Sequence, residues 1–279
     1  MSELTEKDKS GIGIGDIIYI FILYMTIIAG VIESIFLLIT KVPYFNTNPT
    51  IVPYINLIGE IITKVIVLSL ILKKVYDKNL KTLNYKGNFT LTLFICTIGL
   101  IGGYFIFAQN SIHLLLRNVK VNEVVEEAFR KLAQNEFVFF TSIVIVAPIY
   151  EELLFRKIFL GGMSKRYKKV TALVLSSLIF GAMHLNIPQF VNAFFLGLIL
   201  GVIYLKTESL TLCMIAHGFN NLIALFISTP EKFNGVGLTI GIIIIIIFAV
   251  FFHKETKKNK FGTQSSYSYM VRENHYMDK

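Results

Sequence analysis

Three short polar clusters interrupt the apolar stretches of this 279-residue chain. They are Glu151-Glu152-Leu153-Leu154-Phe155-Arg156, Phe180-Gly181-Ala182-Met183-His184 and His217-Gly218-Phe219-Asn220-Asn221. Carboxylate, imidazole and carboxamide are the groups a water-activating hydrolase needs. An ionisable side chain at membrane depth costs roughly 2.5–3.5 kcal/mol on insertion scales. Chains keep such groups there for chemistry, for ion movement or for mutual pairing.

Helical spacing divides the labour. Glu152 and Arg156 are spaced i,i+4, share a face and can pair. Glu151 is rotated by about 100° from Glu152, which leaves it available as a base. A blander account is an ion pair within the helix plus a second glutamate near the headgroups, and it leaves Glu151 unexplained. Phe180 and His184 share a face, as do His217 and Asn221; Asn220 lies about 100° away and is the weaker candidate. Taken singly, His184 also suits a hydrogen-bonded helix end. His217 and Asn221 also suit a polar contact between helices, with Gly218 allowing close approach. Together, Glu151 and His184 can share the removal of a proton from water, while His217 and Asn221 donate to a tetrahedral oxyanion. Two histidines and a glutamate (Glu151, His184, His217) would also make a zinc set with an open position. There is no His-Glu-x-x-His run, and zinc is not favoured; no other cofactor is expected.

The elements that must position these groups are membrane helices. The chain is 54% hydrophobic and 16% charged, against about 45–50% and about 25% in soluble domains. A span needs about 20 mostly apolar residues. That predicts an all-α polytopic bundle with about eight transmembrane helices, near 16–40, 51–72, 89–116, 136–160, 169–186, 189–206, 209–229 and 235–253. Residues 1–15 read as a polar N-terminal segment, 16–253 as one transmembrane bundle with its motif-bearing core at 136–229, and 254–279 as a polar, disordered tail. The stretch 17–40 is too long for a signal-peptide core. Val121 to Leu132 has amphipathic spacing and suits an interfacial helix.

The net charge of +9 does not imply nucleic acid, because the basic residues cluster in a few connections. Lys73, Lys74, Lys78, Lys81 and Lys86 form one group, Lys165, Arg166, Lys168 and Lys169 a second, and Lys254, Lys257, Lys258 and Lys260 a third. The positive-inside rule puts all three, and both termini, in the cytoplasm; Arg117, Lys120, Arg130 and Lys131 are an exception on the other side. Cys96 and Cys213 fall in apolar segments and read as buried thiols. Glu60 and Lys64 should pair, Glu33 and Asn192 should make interhelical contacts, and Gly197 and Gly201 should mark close helix packing.

Glu-Glu-x-x-x-Arg, Phe-x-x-x-His and His-x-x-x-Asn, in that order on successive membrane helices, resemble the CPBP family. This family comprises the type II CAAX prenyl proteases and the bacteriocin-processing or Abi proteins. The resemblance implies an eight-helix intramembrane endopeptidase whose mechanism is glutamate-dependent and needs no metal. It implies that Glu151 and His184 activate water, His217 and Asn221 form the oxyanion site, and Glu152, Arg156 and Phe180 support them. Substrates would be peptides or membrane proteins in a lipid bilayer, here in a bacterial plasma membrane, for peptide or protein maturation or bacteriocin self-immunity. Oligomeric state is left open. Two other functions compete: a non-catalytic immunity or interaction protein of the same fold, and a proton-coupled transporter, against which the absence of an internal repeat counts.

Straight spans raise a difficulty of depth. Glu151 lies about 22 Å along its helix from one face, and His184 about as far from the other. In a core about 30 Å thick the two would miss each other by more than 10 Å. A helix break at Pro148, steep tilt, or a fifth helix that starts outside the membrane would have to bring them together.

Overall fold

The computed structural model describes residues 11–76 and 87–277, with side chains through residue 258 except Asn46. Among these residues the chain is a polytopic helical bundle without strands. Helix α1 is Ile14–Thr40 and α2 is Pro49–Val75; α3 is Leu91–Leu116, bent at Asn110 and Ser111. The amphipathic α4 is Glu123–Leu132. Then follow α5 (Glu136–Arg166), α6 (Lys169–Ala182), α7 (Ile187–Thr207) and α8 (Leu210–Phe226). Helix α9 is Gly235–Met277.

Among the described residues, six helices are long and apolar enough to cross a membrane: α1, α2, α3, α5, α7 and the Gly235–Lys258 part of α9. The other two expected spans, α6 and α8, are apolar but shorter. At 14 residues, α6 is about 21 Å long, short of the roughly 30 Å core. The backbone of α9 continues through the segment read as a tail; that tail's packing lies outside the described side chains. The polar stretch 1–10 and the basic residues Lys78, Lys81 and Lys86 also lie outside the described residues.

The helix ends fall where short polar side chains can satisfy them. Thr90, Asn135, Asn186 and Ser209 each accept a hydrogen bond from a first-turn backbone N–H, at 3.1, 3.0, 2.9 and 3.2 Å, the usual way to satisfy these donors. Pro188 occupies the first turn of α7, where its missing N–H costs nothing. Glu208, in the left-handed conformation at φ 55°, stops that helix.

One end of the bundle gathers the basic connections. The Ile12 N–H bonds to the Gly162 carbonyl at 3.1 Å and the Asn88 N–H to the Thr207 carbonyl at 2.8 Å. Thr90 on α3 meets Glu255 on α9. Ile12 is wholly buried, so the chain packs from residue 12 onward.

Several expected contacts are present. Glu60 and Lys64 pair, and Ser142 of α5 donates to Glu60 at 2.7 Å. The Tyr104 hydroxyl donates to Asn192 Oδ1 at 2.7 Å. Gly197 lets α7 approach Ser177 of α6, and Gly201 faces Leu173 of the same helix. Cys96 and Cys213 are free and buried. Glu33 is exposed on α1, and its charge interacts with Lys64 and Glu60.

Helices α3 and α9 pack along their lengths, and Gly241 sets their separation. A Cβ there would lie 2.7 Å from the Phe107 backbone nitrogen, which cannot swing aside. Gly241→Ala should therefore lower stability by about 1–3 kcal/mol. Gly102→Ala, whose Cβ would meet nothing within 4 Å, should be neutral or stabilising by up to about 1 kcal/mol. Thermal unfolding of both variants in detergent reads the contrast.

Candidate active site

Helix α5 carries the first cluster, and its hydrogen-bonding register changes around it. It is π-helical over Thr141–Val146, α-helical over Ala147–Glu152 and π-helical again over Leu153–Leu160. Insertions of this kind rotate the following side chains without interrupting the helix, and they occur often at functional sites. The backbone stays helical through Pro148, so the break considered there does not occur.

Glu152 is the hub. Its Oε2 accepts from Arg156 Nε at 2.8 Å, and its Oε1 lies 2.9 Å from His217 Nδ1. Glu152 and Arg156 have no exposed surface, and His217 is 3% exposed. An ionised carboxylate only accepts hydrogen bonds, so the His217 Nδ1–H donates to it. That bond fixes the imidazole and leaves Nε2 facing Glu151, whose Oε2 is 3.7 Å away. Glu151 keeps a quarter of its side-chain surface exposed. One glutamate is thus tied down and its neighbour left accessible, as their 100° separation predicts.

Phe180 of α6 joins the second cluster to the first. Its ring meets the His184 and His217 imidazoles edge-on at 5.3 and 5.6 Å and the Phe155 ring at 5.0 Å. The Arg156 guanidinium carbon lies 5.0 Å from the same ring, a cation–π contact. Both terminal guanidinium nitrogens are buried without a hydrogen-bond partner. His184 sits just past the end of α6. Its Nδ1 lies 3.0 Å from the Phe180 carbonyl, which leaves Nε2 free.

Asn221 is placed differently from its neighbours. Its Nδ2 donates to the Ile143 carbonyl of α5 at 2.9 Å, and its Oδ1 accepts from Asn220 at 3.3 Å. Gly218, one turn earlier, abuts the Val144 carbonyl, 2.8 Å from where a Cβ would sit. The candidates therefore converge from α5, the end of α6 and α8. The depth difficulty disappears because α6 is short and ends at the site: both imidazoles rest on one phenyl ring. The His217 imidazole lies beside Glu151, an approach that spacing on single helices did not foresee. Spacing did not foresee the His217–Glu152 bond, because it joins two helices 65 residues apart.

Residues 133–223 match the model of a family described as type II CAAX prenyl endopeptidase Rce1-like. The matched stretch contains all three clusters. This segment is similar to the Rce1-like family. It is also similar to a Bacillus subtilis (strain 168) protein named "Putative membrane peptidase YdiL", 32% identical over 73 residues. That similarity spans 26% of this chain and 30% of the relative's length. No solved structure matches the chain significantly.

Within the matched segment, the set Glu151, His184 and His217 does not gather as a metal site. Among the described residues no three His, Cys, Asp or Glu side chains come together in that way. Ser142, Ile143 and Pro148 belong to the site's frame and were not singled out as such by spacing; a proline inside an apolar helix was the available signal.

Removing one partner of a fully buried ion pair strands the other, at a cost of about 3–5 kcal/mol. Arg156→Met should therefore sharply lower folded yield and detergent stability. Adding Glu152→Gln should recover part of the loss, since the stranded charge is then gone; unfolding midpoints of the single and double variants check this.

Proposed function

We propose that this chain is an intramembrane endopeptidase that hydrolyses a peptide bond with water activated by Glu151. The observation that carries the reading is the pairing of an accessible Glu151 with an imidazole, His217, that a buried ion pair holds in place. The family match over the same residues supports it.

Glu151 takes a proton from water as the oxygen attacks the scissile carbonyl carbon. His184, with its free Nε2 on the other side of Phe180, assists that transfer. The carbonyl oxygen becomes an oxyanion. It accepts hydrogen bonds from His217 Nε2–H and from the second N–H of the Asn221 amide. In this role His217 carries both ring protons, with Glu152 balancing the charge. Collapse of the tetrahedral intermediate breaks the C–N bond, and the departing amine takes the proton held by Glu151. No cofactor takes part in these steps. Substrates are peptides or membrane-protein segments reaching the site from the bilayer, in peptide or protein maturation or bacteriocin self-immunity. The basic end of the bundle faces the cytoplasm of a bacterial plasma membrane, and both termini lie on that side.

Glu151→Gln keeps the shape of the side chain and removes the base. It should reduce cleavage about 10²–10⁴-fold while leaving the unfolding temperature unchanged. The assay compares membrane proteomes and secreted peptides from cells carrying wild type or Glu151→Gln. Identical profiles under inducing conditions would overturn the proposal.

A further inference from the structure

Proline has no N–H and leaves a carbonyl of the preceding turn without a donor. Around Pro148 the register identifies which one. The Ala147 N–H bonds to the Ser142 carbonyl, five residues back. The next donor in that register would be residue 148, and its acceptor would be the Ile143 carbonyl. Pro148 cannot supply it. At membrane depth a freed carbonyl has no water to turn to and must find a partner on a neighbouring helix. It finds Asn221: Nδ2 donates to Ile143 O at 2.9 Å.

The packing makes that contact possible. Gly218 and Asn221 are spaced i,i+3 on one face of α8. Gly218 abuts the Val144 carbonyl so closely that a Cβ would fall 2.8 Å from it. The missing side chain brings α8 close enough for the Asn221 amide to reach the neighbouring carbonyl. His217 and Asn221, spaced i,i+4, also share a face. With one amide N–H tied to Ile143 and Oδ1 accepting from Asn220, the amide plane is fixed at two points. Its second N–H is then presented in one direction only.

We infer that Pro148 is a positioning residue: by depriving the Ile143 carbonyl of its helical donor, it creates the anchor that orients the Asn221 amide beside His217. The catalytic part rests on the proposed endopeptidase function; the coupling of Pro148 to Asn221 does not. Pro148→Ala restores a backbone N–H at position 148, which competes with Asn221 for the Ile143 carbonyl. The anchor is lost while the helix gains a hydrogen bond.

A double-mutant cycle over Pro148→Ala and Asn221→Ala tests this, with unfolding temperature in detergent and cleavage rate as readouts. Pro148→Ala should unfold at the wild-type temperature or above it. It should lose about 10–100-fold in kcat, on the scale of one misdirected oxyanion donor, with KM within about twofold. Asn221→Ala should lower the unfolding temperature by about 2–4 °C when residue 148 is proline, and by less than half as much when it is alanine. In the Asn221→Ala background, Pro148→Ala should bring no further loss of rate. If Asn221→Ala does not yield folded protein, Asn221→Ser takes its place in the cycle. Additive temperature effects, or Pro148→Ala cleaving within twofold of wild type, would overturn the inference. A wild-type protein that cleaves nothing would remove the endopeptidase reading, while the temperature cycle still decides the coupling.

Discussion

Glu152 accepts hydrogen bonds from Arg156 on its own helix and from His217 on α8, in a place with no solvent. A charge in such a place is tolerable only when its partners are present and well aligned. That requirement constrains the rest of the site. It holds α8 against α5 at one level and puts the His217 Nε2 beside Glu151. It also keeps the Arg156 guanidinium against the Phe180 ring, which brings the end of α6 into the same group. The three clusters are therefore one structural unit.

The remaining architecture delivers these pieces to one depth. Helix α5 stays continuous over Glu136–Arg166, and its two π-helical stretches lie on either side of Glu151 and Glu152. Helices α6 and α8 are too short to match the long spans, and α6 ends at Ala182, just before His184. From the other side, Glu60 on α2 accepts from Ser142, which ties α2 to the π-helical turn ahead of Pro148. Lys64 completes that contact and lies near the Tyr150 ring, 5.7 Å from its centre. Polar groups that a membrane would penalise singly thus satisfy one another across helices.

Several of these features were legible in the sequence. The i,i+4 spacing of Glu152 and Arg156 announced their pair, and the 100° rotation of Glu151 announced its separation from it. Asn186 with Pro188, and the polar stretch 206–209, marked the two ends of α7, because capping and missing donors act within a few residues. The Glu60–Lys64 pair followed from the same local geometry. Other features were not legible. The length of α6 was overestimated, because its apolar character runs past the residue where the backbone stops being helical. The approach of His217 to Glu151 was not foreseen either. Helical spacing relates residues a turn apart and is silent on which distant helix arrives alongside.

By itself the sequence determined the membrane character, the all-helical class, the side chains able to do chemistry and the face each takes on its own helix. These follow from hydropathy and from a fixed 3.6-residue period, both local properties. Only the tertiary structure decided that His217 leans on Glu152 and faces Glu151, that Phe180 carries both imidazoles, and that the Asn221 amide donates to the Ile143 carbonyl. Those choices depend on hydrogen-bond partners supplied by helices far apart in sequence. They depend also on a change of helical register that no periodic pattern of residues records.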